Sequence, residues 1–211
     1  MIRLPRRKLR FLIAFGPTQE PIDPVRFISN YSTGTMGLYL VQAAKKNGHR
    51  VTSLECPGKI KTAVELEKSL LKSLPGHHVL IMAAAVCDVR PEKISANKIK
   101  KDKLSSILLT KNPDILAGLA KKKKKGQIFI GFGLESSGLL KNGRKKLKSK
   151  NLELIVLQKV TKKETPFGEK NIHAYVLEKS GKIEEFRSVS KRDLARFLIG
   201  KAEKLASGNY T

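Results

Sequence analysis

The sequence has no tryptophan, only two cysteines and no long apolar segment, and each of these features argues against a class of protein. Cys56 and Cys87 are far apart and fit no CxxC or metal-ligand spacing, which favours a reduced chain. The basic N-terminus contains only FLIAF as an apolar run, too short for a signal peptide, and no segment reaches the length of a membrane span. Aromatic residues make up 6%, too few to indicate a stacking platform for single-stranded nucleic acid. We therefore predict a cytoplasmic protein that binds neither nucleic acid nor membranes.

Acidic residues are also scarce, with 18 Asp and Glu against 43 Lys and Arg, a formal net charge of +25 at pH 7. Such an excess attracts nucleic acid, anionic membranes or small phosphorylated ligands. We interpret the lysine runs as solvated surfaces, because the run at 121–125 follows an apolar helical segment whose C-terminal dipole favours cations. A second cationic group, on one predicted helix, consists of Lys141, Arg144, Lys145 and Lys148. A nucleic-acid binder would need these lysines in one stripe, and a steep salt dependence of DNA affinity would reveal it.

The 211 residues, 40% of them hydrophobic and 29% charged, suffice for one α/β domain. We predict a single domain over 1–211, in which residues 1–9 form a basic N-terminal extension. Short apolar segments alternate with segments of helical periodicity. The strands are predicted at 10–16, 49–58, 77–86, 107–110, 127–135, 152–160 and in a hairpin at 173–190, and the helices at 36–48, 62–76, 112–126, 138–150 and 191–206. This alternation predicts a Rossmann-like, doubly wound, mostly parallel sheet with helices on both faces and a C-terminal β-hairpin at one edge.

Periodicity and capping residues add detail to three of these helices. Leu38, Val41 and Ala44 are predicted to face the sheet from the first helix, and the residues predicted to do so from the second are Val64, Leu66, Leu70, Leu71 and Leu74. Asn112 is predicted to cap the third helix, directly before a proline in its first turn.

Parallel sheets covered by helices bind ligands at the carboxyl ends of their strands. The loops that this rule brings together follow Phe15, Ala85, Phe132 and Val156. The first of them ends in STGTMG (32–37), whose glycines and hydroxyls suit a phosphate at a helix N-terminus. A plain helix cap at Ser32 or Thr33 is the other interpretation of this turn.

The second loop, AAAVCDVRPEKISANKIKK (83–101), leaves its strand through alanines that make room for a flat ligand. Asp88 can accept hydrogen bonds from an amino or hydroxyl group. Lys98, Lys100 and Lys101 can neutralise phosphates from a mobile flap. A solvated lysine loop is the alternative on spacing alone.

Six motifs, found in order between residues 11 and 198, resemble one known family. The first, GPTQEPIDPVRFISNYSTGTMG (16–37), is similar to the opening motif GPTQEPIDPVRFISNRSSGKMG of the bacterial phosphopantothenoylcysteine synthetases, and the two are identical up to Asn30. The further matches are AAAVCDVRP, NKIKK, KNPDIL, GFGLES and KSKNLELIVLQKV. This family is the C-terminal domain of the DNA/pantothenate metabolism flavoproteins.

The resemblance implies a CTP-dependent ligase of coenzyme A biosynthesis that joins 4′-phosphopantothenate to L-cysteine. In the family, CTP converts the acid to an acyl-cytidylate with release of pyrophosphate, and cysteine then displaces CMP. The implied catalytic residues are Asn30, whose amide suits a developing oxyanion, Arg26, which suits a carboxylate or phosphate, and the flap residue Lys98. The resemblance also implies Mg²⁺ with the CTP and a homodimer. Since no flavin-dependent decarboxylase half is seen, we expect no flavin and a separately encoded decarboxylase.

The resemblance further implies a nucleotide site, while metal ligands stay unknown. Its expected residues are Gly16, Ser32, Thr33, Gly34, Gly37, Met82, Ala83, Ala84, Asp88, Lys98, Pro113, Asp114, Ile115, Leu116, Phe132, Lys146 and Lys150.

The sequence departs from the family pattern at a few site positions. Tyr31 and Thr35 replace an arginine and a lysine, Gln158 and Lys159 replace Asn-Asp, and Gly133-Leu134 replaces Ala-Ala. Lys159 could compensate for a lost phosphate contact. Two other hypotheses therefore stay open: a catalytically impaired nucleotide-binding homologue, and an oxidoreductase of the same fold, which lacks the GxGxxG motif.

Overall fold

The apolar segments of the sequence lie side by side in one seven-stranded sheet. The computed structural model describes residues 8–161 and 165–208. Its strands are β1 (Arg10–Pro17), β2 (Gln19–Pro21), β3 (Phe27–Ser29), β4 (Arg50–Glu55), β5 (Val79–Ala85), β6 (Val89–Pro91), β7 (Leu109–Lys111), β8 (Ile128–Glu135), β9 (Leu154–Lys159), β10 (Ile172–Glu178) and β11 (Ile183–Val189). Its α-helices are α1 (Thr35–Lys46), α2 (Ala63–Ser73), α3 (Ile115–Ala120), α4 (Leu139–Ser149) and α5 (Lys191–Ala206).

The strands of this sheet follow the order β11-β10-β9-β8-β5-β1-β4. The five strands from β9 to β4 are parallel, and β1 lies between β4 and β5 with Phe11 opposite both Val51 and Val79. β10 pairs antiparallel with β9 and with β11, so a hairpin forms one edge. The predicted fold class, a mostly parallel sheet with a C-terminal hairpin at its edge, is confirmed.

Both faces of the sheet are buried, as the unbroken apolar runs of the central strands indicate. Phe11 and Ile13 of β1 belong to a core that includes α1 and α5, whereas Leu12 and Ala14 belong to a core that includes α2 and α3. This alternation follows from the two-residue period of a strand. Full burial of each large apolar side chain stabilises the fold by about 1.5–3 kcal/mol.

The third helix is capped differently from the prediction, which was wrong about Asn112. The side chain of Asp114 accepts a hydrogen bond from the Ala117 N–H (3.1 Å) and caps α3. Asn112 instead donates to the Cys87 carbonyl (2.9 Å) and so ties two loops together. The helix ends at Ala120, so the lysine run that follows is not helical.

Two predictions about helix faces were also wrong. Leu38 and Val64 are each 47% exposed, because the inward stripe of α1 passes through Leu40 and that of α2 through Leu66. Two small sheets lie outside the main sheet: β2–β3 and β6 were not predicted, whereas β7 corresponds to the strand predicted at 107–110 and pairs with β6. Residues 1–7 of the predicted N-terminal extension lie outside the described residues.

Within the part of the chain that the structure describes, no helix has the length and apolar character needed to cross a membrane.

Candidate active site

A cleft of about 500 Å³ opens at the carboxyl ends of β1, β5, β8 and β9. The four loops predicted to meet there do so. Its lining residues are 30–37, 82–88, 112–116, 132–134, Lys146, Lys150, Gln158, Pro166, Phe167 and Lys191. Of the residues predicted for catalysis or nucleotide binding, the cleft lining contains all except Gly16, Arg26 and Lys98.

The turn before α1 is shaped by glycines that bring the helix onto β1. Gly34 has φ +73° and is itself the N-cap residue, with no side-chain hydrogen bond to the first turn, so the plain cap at Ser32 or Thr33 is wrong. A Cβ at Gly37 would lie 1.9 Å from Phe15 Cβ, which explains why no larger residue stands there. The N–H groups of the first turn of α1 are therefore not closed off by a capping side chain, an arrangement that suits an anion.

Asn30 stands at the mouth of the cleft with an exposed side chain. Its Nδ2 donates a hydrogen bond to the carbonyl of Ala85 (3.1 Å), the last residue of β5. This bond joins the loop after β1 to the loop after β5 and directs the amide toward the cleft lining.

One wall of the cleft consists of the small residues at the end of β5. Met82, Ala83 and Ala84 lie along it. The Asp88 carbonyl accepts from the Asn112 N–H (2.9 Å), which holds this wall against the segment before α3. The opposite side is formed by Pro113–Leu116 and by Phe132. Such a slot between apolar walls, with a carboxylate at its end, suits the flat base of a nucleotide.

Two lysines of the cleft are already paired with carboxylates. Lys146 Nζ lies 2.6 Å from a Glu135 oxygen, and Lys150 Nζ lies 3.0 Å from an Asp114 oxygen. Burial disfavours ionised Glu135, but hydrogen bonds from Lys146 and Asn142 outweigh it and hold its pKa below the ordinary 4.5. Both lysines are thereby held at the cleft in fixed positions.

Lys191 is a cleft residue that the sequence reasoning missed. It is the first residue of α5, it is 6% exposed, and its Nζ donates to the Gly168 carbonyl (2.5 Å). Burial lowers the pKa of this ammonium, against a smaller opposing effect of the Glu169 carboxylate. Nothing in the sequence indicated that Lys191 lines the cleft, because a lysine at the start of a terminal helix is normally exposed to solvent.

Arg26 and Lys98 line a second depression, of about 440 Å³, together with residues 99–101 and Leu104. We call this the flap depression. The prediction that Arg26 and Lys98 converge with Asn30 therefore does not describe this structure, although their functional roles stay predictions.

Arg26 is engaged in a contact that we call the clasp, formed by Asp23, Arg26 and the backbone of Ile99. Its guanidinium forms an ion pair with Asp23 and donates to the Ile99 carbonyl (2.8 Å). The buried Asp23 carboxylate also accepts from the N–H groups of Val25 (2.9 Å), Arg26 (2.9 Å) and Ile99 (3.1 Å). The Arg26 guanidinium, above all, holds the pKa of Asp23 well below its ordinary value. The clasp thus fixes the base of the flap to the loop after β1.

Gly16 lies beneath the cleft and not on its lining. With φ +82°, its Cβ position would fall 1.8 Å from the Cys56 carbonyl oxygen, and it also lies against Gly34. Its position is explained by packing between β1 and its neighbours.

Gln158 and Lys159, two adjacent departures from the family pattern, differ in their position relative to the cleft. Gln158 lines the cleft, whereas Lys159 is exposed and outside the lining. The idea that Lys159 replaces a phosphate contact is therefore not supported by its position. Tyr31 is 88% exposed at the cleft mouth, with its ring centroid 6.2 Å from that of Phe167.

Among residues 8–161 and 165–208, no three or more His, Cys, Asp or Glu side chains are grouped so that they could hold a metal ion.

The chain is similar to several known proteins. The family described as the DNA/pantothenate metabolism flavoprotein C-terminal domain matches residues 7–205. The chain is 38% identical over 204 residues to the coenzyme A biosynthesis bifunctional protein CoaBC of Borreliella burgdorferi, covering 90% of this chain and 51% of that protein. It is 37% identical over 205 residues to a cysteine/cysteine sulfinic acid decarboxylase of an unknown prokaryotic organism, covering 91% of this chain and 57% of that protein. The chain thus spans about half the length of the curated relatives it matches.

Among solved structures, the C-terminal domain of a coenzyme A biosynthesis bifunctional protein CoaBC is similar to this chain. The two superpose with a TM-score of 0.77 at 26% identity, over 95% of this chain and 96% of that one.

Proposed function

Because the chain belongs to the DNA/pantothenate metabolism flavoprotein C-terminal domain family, we propose that it is a ligase of coenzyme A biosynthesis. The proposed reaction joins 4′-phosphopantothenate and L-cysteine at the expense of CTP. This proposal rests mainly on one observation. A single cleft contains Asn30, the first turn of α1, which no side chain caps, and both walls of the expected cytidine slot. The fold alone would not require these groups to line the same cavity.

In the first proposed step, the substrate carboxylate attacks the α-phosphorus of CTP. The bond between the α- and β-phosphates breaks, pyrophosphate leaves, and an acyl-cytidylate forms. The cytidine lies between the alanine wall and Pro113–Leu116, and the phosphates lie near Lys146, Lys150 and the first turn of α1. Lysine ammonium groups and helix N–H groups stabilise the charge that collects on the leaving pyrophosphate.

In the second proposed step, the cysteine amine attacks the acyl carbon. The amide bond forms, the amine gives up a proton to solvent, and CMP leaves with the electrons of the broken acyl–oxygen bond. Asn30 is a neutral donor at the cleft mouth, so it can stabilise the acyl oxyanion without acting as a competing nucleophile. Lys98 is proposed to reach the phosphates from the flap, which the clasp anchors through Arg26.

Mg²⁺ is proposed to accompany the CTP. The described side chains offer no three-ligand group of their own, so they do not fit a protein-bound resident metal site. The proposal therefore places the ion on phosphate oxygens and water, and assigns no step to it.

We also propose a homodimer, because large apolar side chains are exposed in and beside the two small sheets, whose strands β2 and β6 contact each other. They belong to the β2–β3 and β6–β7 regions and are Val25, Phe27, Ile94, Leu108 and Leu109, each at least 50% exposed. Several large apolar side chains exposed in one region favour a protein contact there. Sedimentation of the wild type should give a dimer and Leu108→Glu a monomer; a monomeric wild type at micromolar concentration would contradict this. A separately encoded decarboxylase that consumes the product stays a prediction.

The test of the function is product analysis with defined substrates. We expect pyrophosphate only when 4′-phosphopantothenate and CTP are both present, and CMP release only when cysteine is added as well. ATP serves as the matched nucleotide control. CTP binding without pyrophosphate would favour the impaired homologue. Carbon dioxide from cysteine without pyrophosphate would favour the activity named for the decarboxylase relative, and oxidation of a substrate with a dinucleotide would favour the oxidoreductase.

A further inference from the structure

The cations of the cleft differ in how they are neutralised. Among the described residues that line it, the cations are Lys146, Lys150 and Lys191. Lys146 and Lys150 contact the carboxylates of Glu135 and Asp114, so each presents a nearly neutral pair to a ligand. Lys191 donates to the Gly168 carbonyl, a neutral acceptor. Of the three, Lys191 is thus the one with no carboxylate in direct contact among the described residues, and Glu169 acts on it only at longer range.

The surroundings of Lys191 increase the effect of this charge. The residue is 6% exposed, so water screens it little, and burial of an ammonium without a carboxylate contact is costly. The Glu169 carboxylate in the adjacent segment accepts a hydrogen bond from the Tyr39 hydroxyl. An anion in the cleft would offset the cost of burying Lys191.

Lys191 also lies on the same sheet face as the phosphate-suited turn. α1 and α5 pack against each other and share one core, whereas α4, which contains Lys146 and ends at its C-cap Lys150, packs against the core of the opposite face. The turn itself has no cation, because positions 31 and 35 are tyrosine and threonine. The cleft therefore has cations on both sides of the sheet edge.

We propose that Lys191 is a further substrate-binding residue of this cleft, which binds a phosphate group together with the first-turn N–H groups of α1. The proposal rests on the proposed ligase function for the identity of the ligands. The phosphate belongs either to the β- or γ-position of the nucleotide or to the 4′-phosphate of phosphopantothenate, because both are phosphate oxyanions of the same chemistry.

The experiment measures ligand affinity by calorimetry in the full chain and in matched variants. Lys191→Gln removes the charge but retains a donor for Gly168, and Lys191→Arg retains the charge should the glutamine variant fold poorly. Arg192→Met is the control, because it removes one charge at the next position, where the guanidinium lies over the Tyr39 ring and outside the cleft lining. The probes are CMP against CTP, pantothenate against 4′-phosphopantothenate, and inorganic triphosphate.

We expect Lys191→Gln to weaken CTP or 4′-phosphopantothenate about tenfold or more, as for loss of a charge-assisted hydrogen bond, and to leave CMP and pantothenate within about twofold. The affected pair identifies which phosphate Lys191 contacts. Equal weakening of phosphorylated and unphosphorylated probes would indicate a structural role and overturn the proposal, as would no weakening at all. The proposed function can be contradicted independently of the phosphate site. If the wild type binds inorganic triphosphate through Lys191 but binds neither substrate, the phosphate site is supported and the ligase function is contradicted. A wild type that binds no probe would overturn both.

Discussion

The cleft and the flap depression differ in how their residues are held. The cleft is built from strand ends, helix starts and the loops between them, and the buried sheet fixes the backbone where β5, β8 and β9 reach its lining. The flap depression is lined by Arg26 and by a mostly exposed, lysine-rich segment that one buried carboxylate, Asp23, ties to the loop after β1. Under the proposed function, the two regions have different roles. The cleft orients the reacting groups, and the flap adds positive charge once a nucleotide is bound.

The largest expected effect lies in the cleft, at Asn30. Asn30→Asp replaces a donor with an anion where negative charge develops, so ligation should fall by about 10²–10³-fold while some acyl-cytidylate accumulates. Rapid-quench analysis of pyrophosphate and CMP checks both. Asn171→Asp, whose side chain bonds Ser188 on the hairpin, is the matched control and should retain activity. Full turnover by Asn30→Asp would remove Asn30 from the mechanism.

The next effect lies in the flap depression, at Lys98. Lys98→Gln should slow pyrophosphate release roughly tenfold by removing one charge-assisted phosphate contact, with little effect on CMP affinity. Lys93→Gln is a fitting control, since Lys93 is exposed in the same loop but lines neither cavity. If both variants release pyrophosphate at the wild-type rate, the flap has no part in activation.

A smaller effect should follow from opening the clasp. Asp23→Asn weakens the ion pair with Arg26 and the hold on the flap, so activation should slow about threefold to tenfold. Amide exchange at Val25 and Ile99 should rise, because their N–H groups bond Asp23, while exchange in β5 stays unchanged. Asp102→Asn, in the flap segment, is the control. Faster exchange throughout the sheet would mean that the clasp supports the whole fold and not the flap alone.

The smallest effect concerns the Glu135–Lys146 pair and pH. The pKa of Glu135 lies below its ordinary 4.5 in the folded protein, so the pair stabilises the fold above that pH, and the contribution is lost as pH falls through the lowered pKa. Since Lys146 is 40% exposed, Glu135→Gln should lower the free energy of unfolding by about 1 kcal/mol or less at pH 7. Denaturant titration should show the two proteins converging as the pH falls from 4.5 through the lowered pKa. A difference that grows toward acid pH would have the wrong sign.

The sequence predicted the sheet well because its signals are local. The unbroken apolar run of β1 and the helical period of α5 each lie within their own residues, and parallel strands then bring their carboxyl ends to one edge. The meeting of Asn30, the alanine wall and Phe132 follows from that rule.

Other features depend on contacts between distant segments, which a single sequence does not contain. The strands β2 and β6 have three residues each, too few to establish a period. Asp114, not Asn112, caps α3, because the Asn112 side chain donates its hydrogen bond to the Cys87 carbonyl. Lys191 joins the cleft only because α5 packs beside α1.

The most direct test of the whole account is a crystal structure of the full chain with CTP and 4′-phosphopantothenate. We expect cytidine between the alanine wall and Pro113–Leu116, with Lys98 Nζ within hydrogen-bond distance of a phosphate oxygen and the Asp23–Arg26 pair intact. A nucleotide bound outside the cleft, or bound within it while Lys98 still faces a separate surface from Asn30, would contradict it.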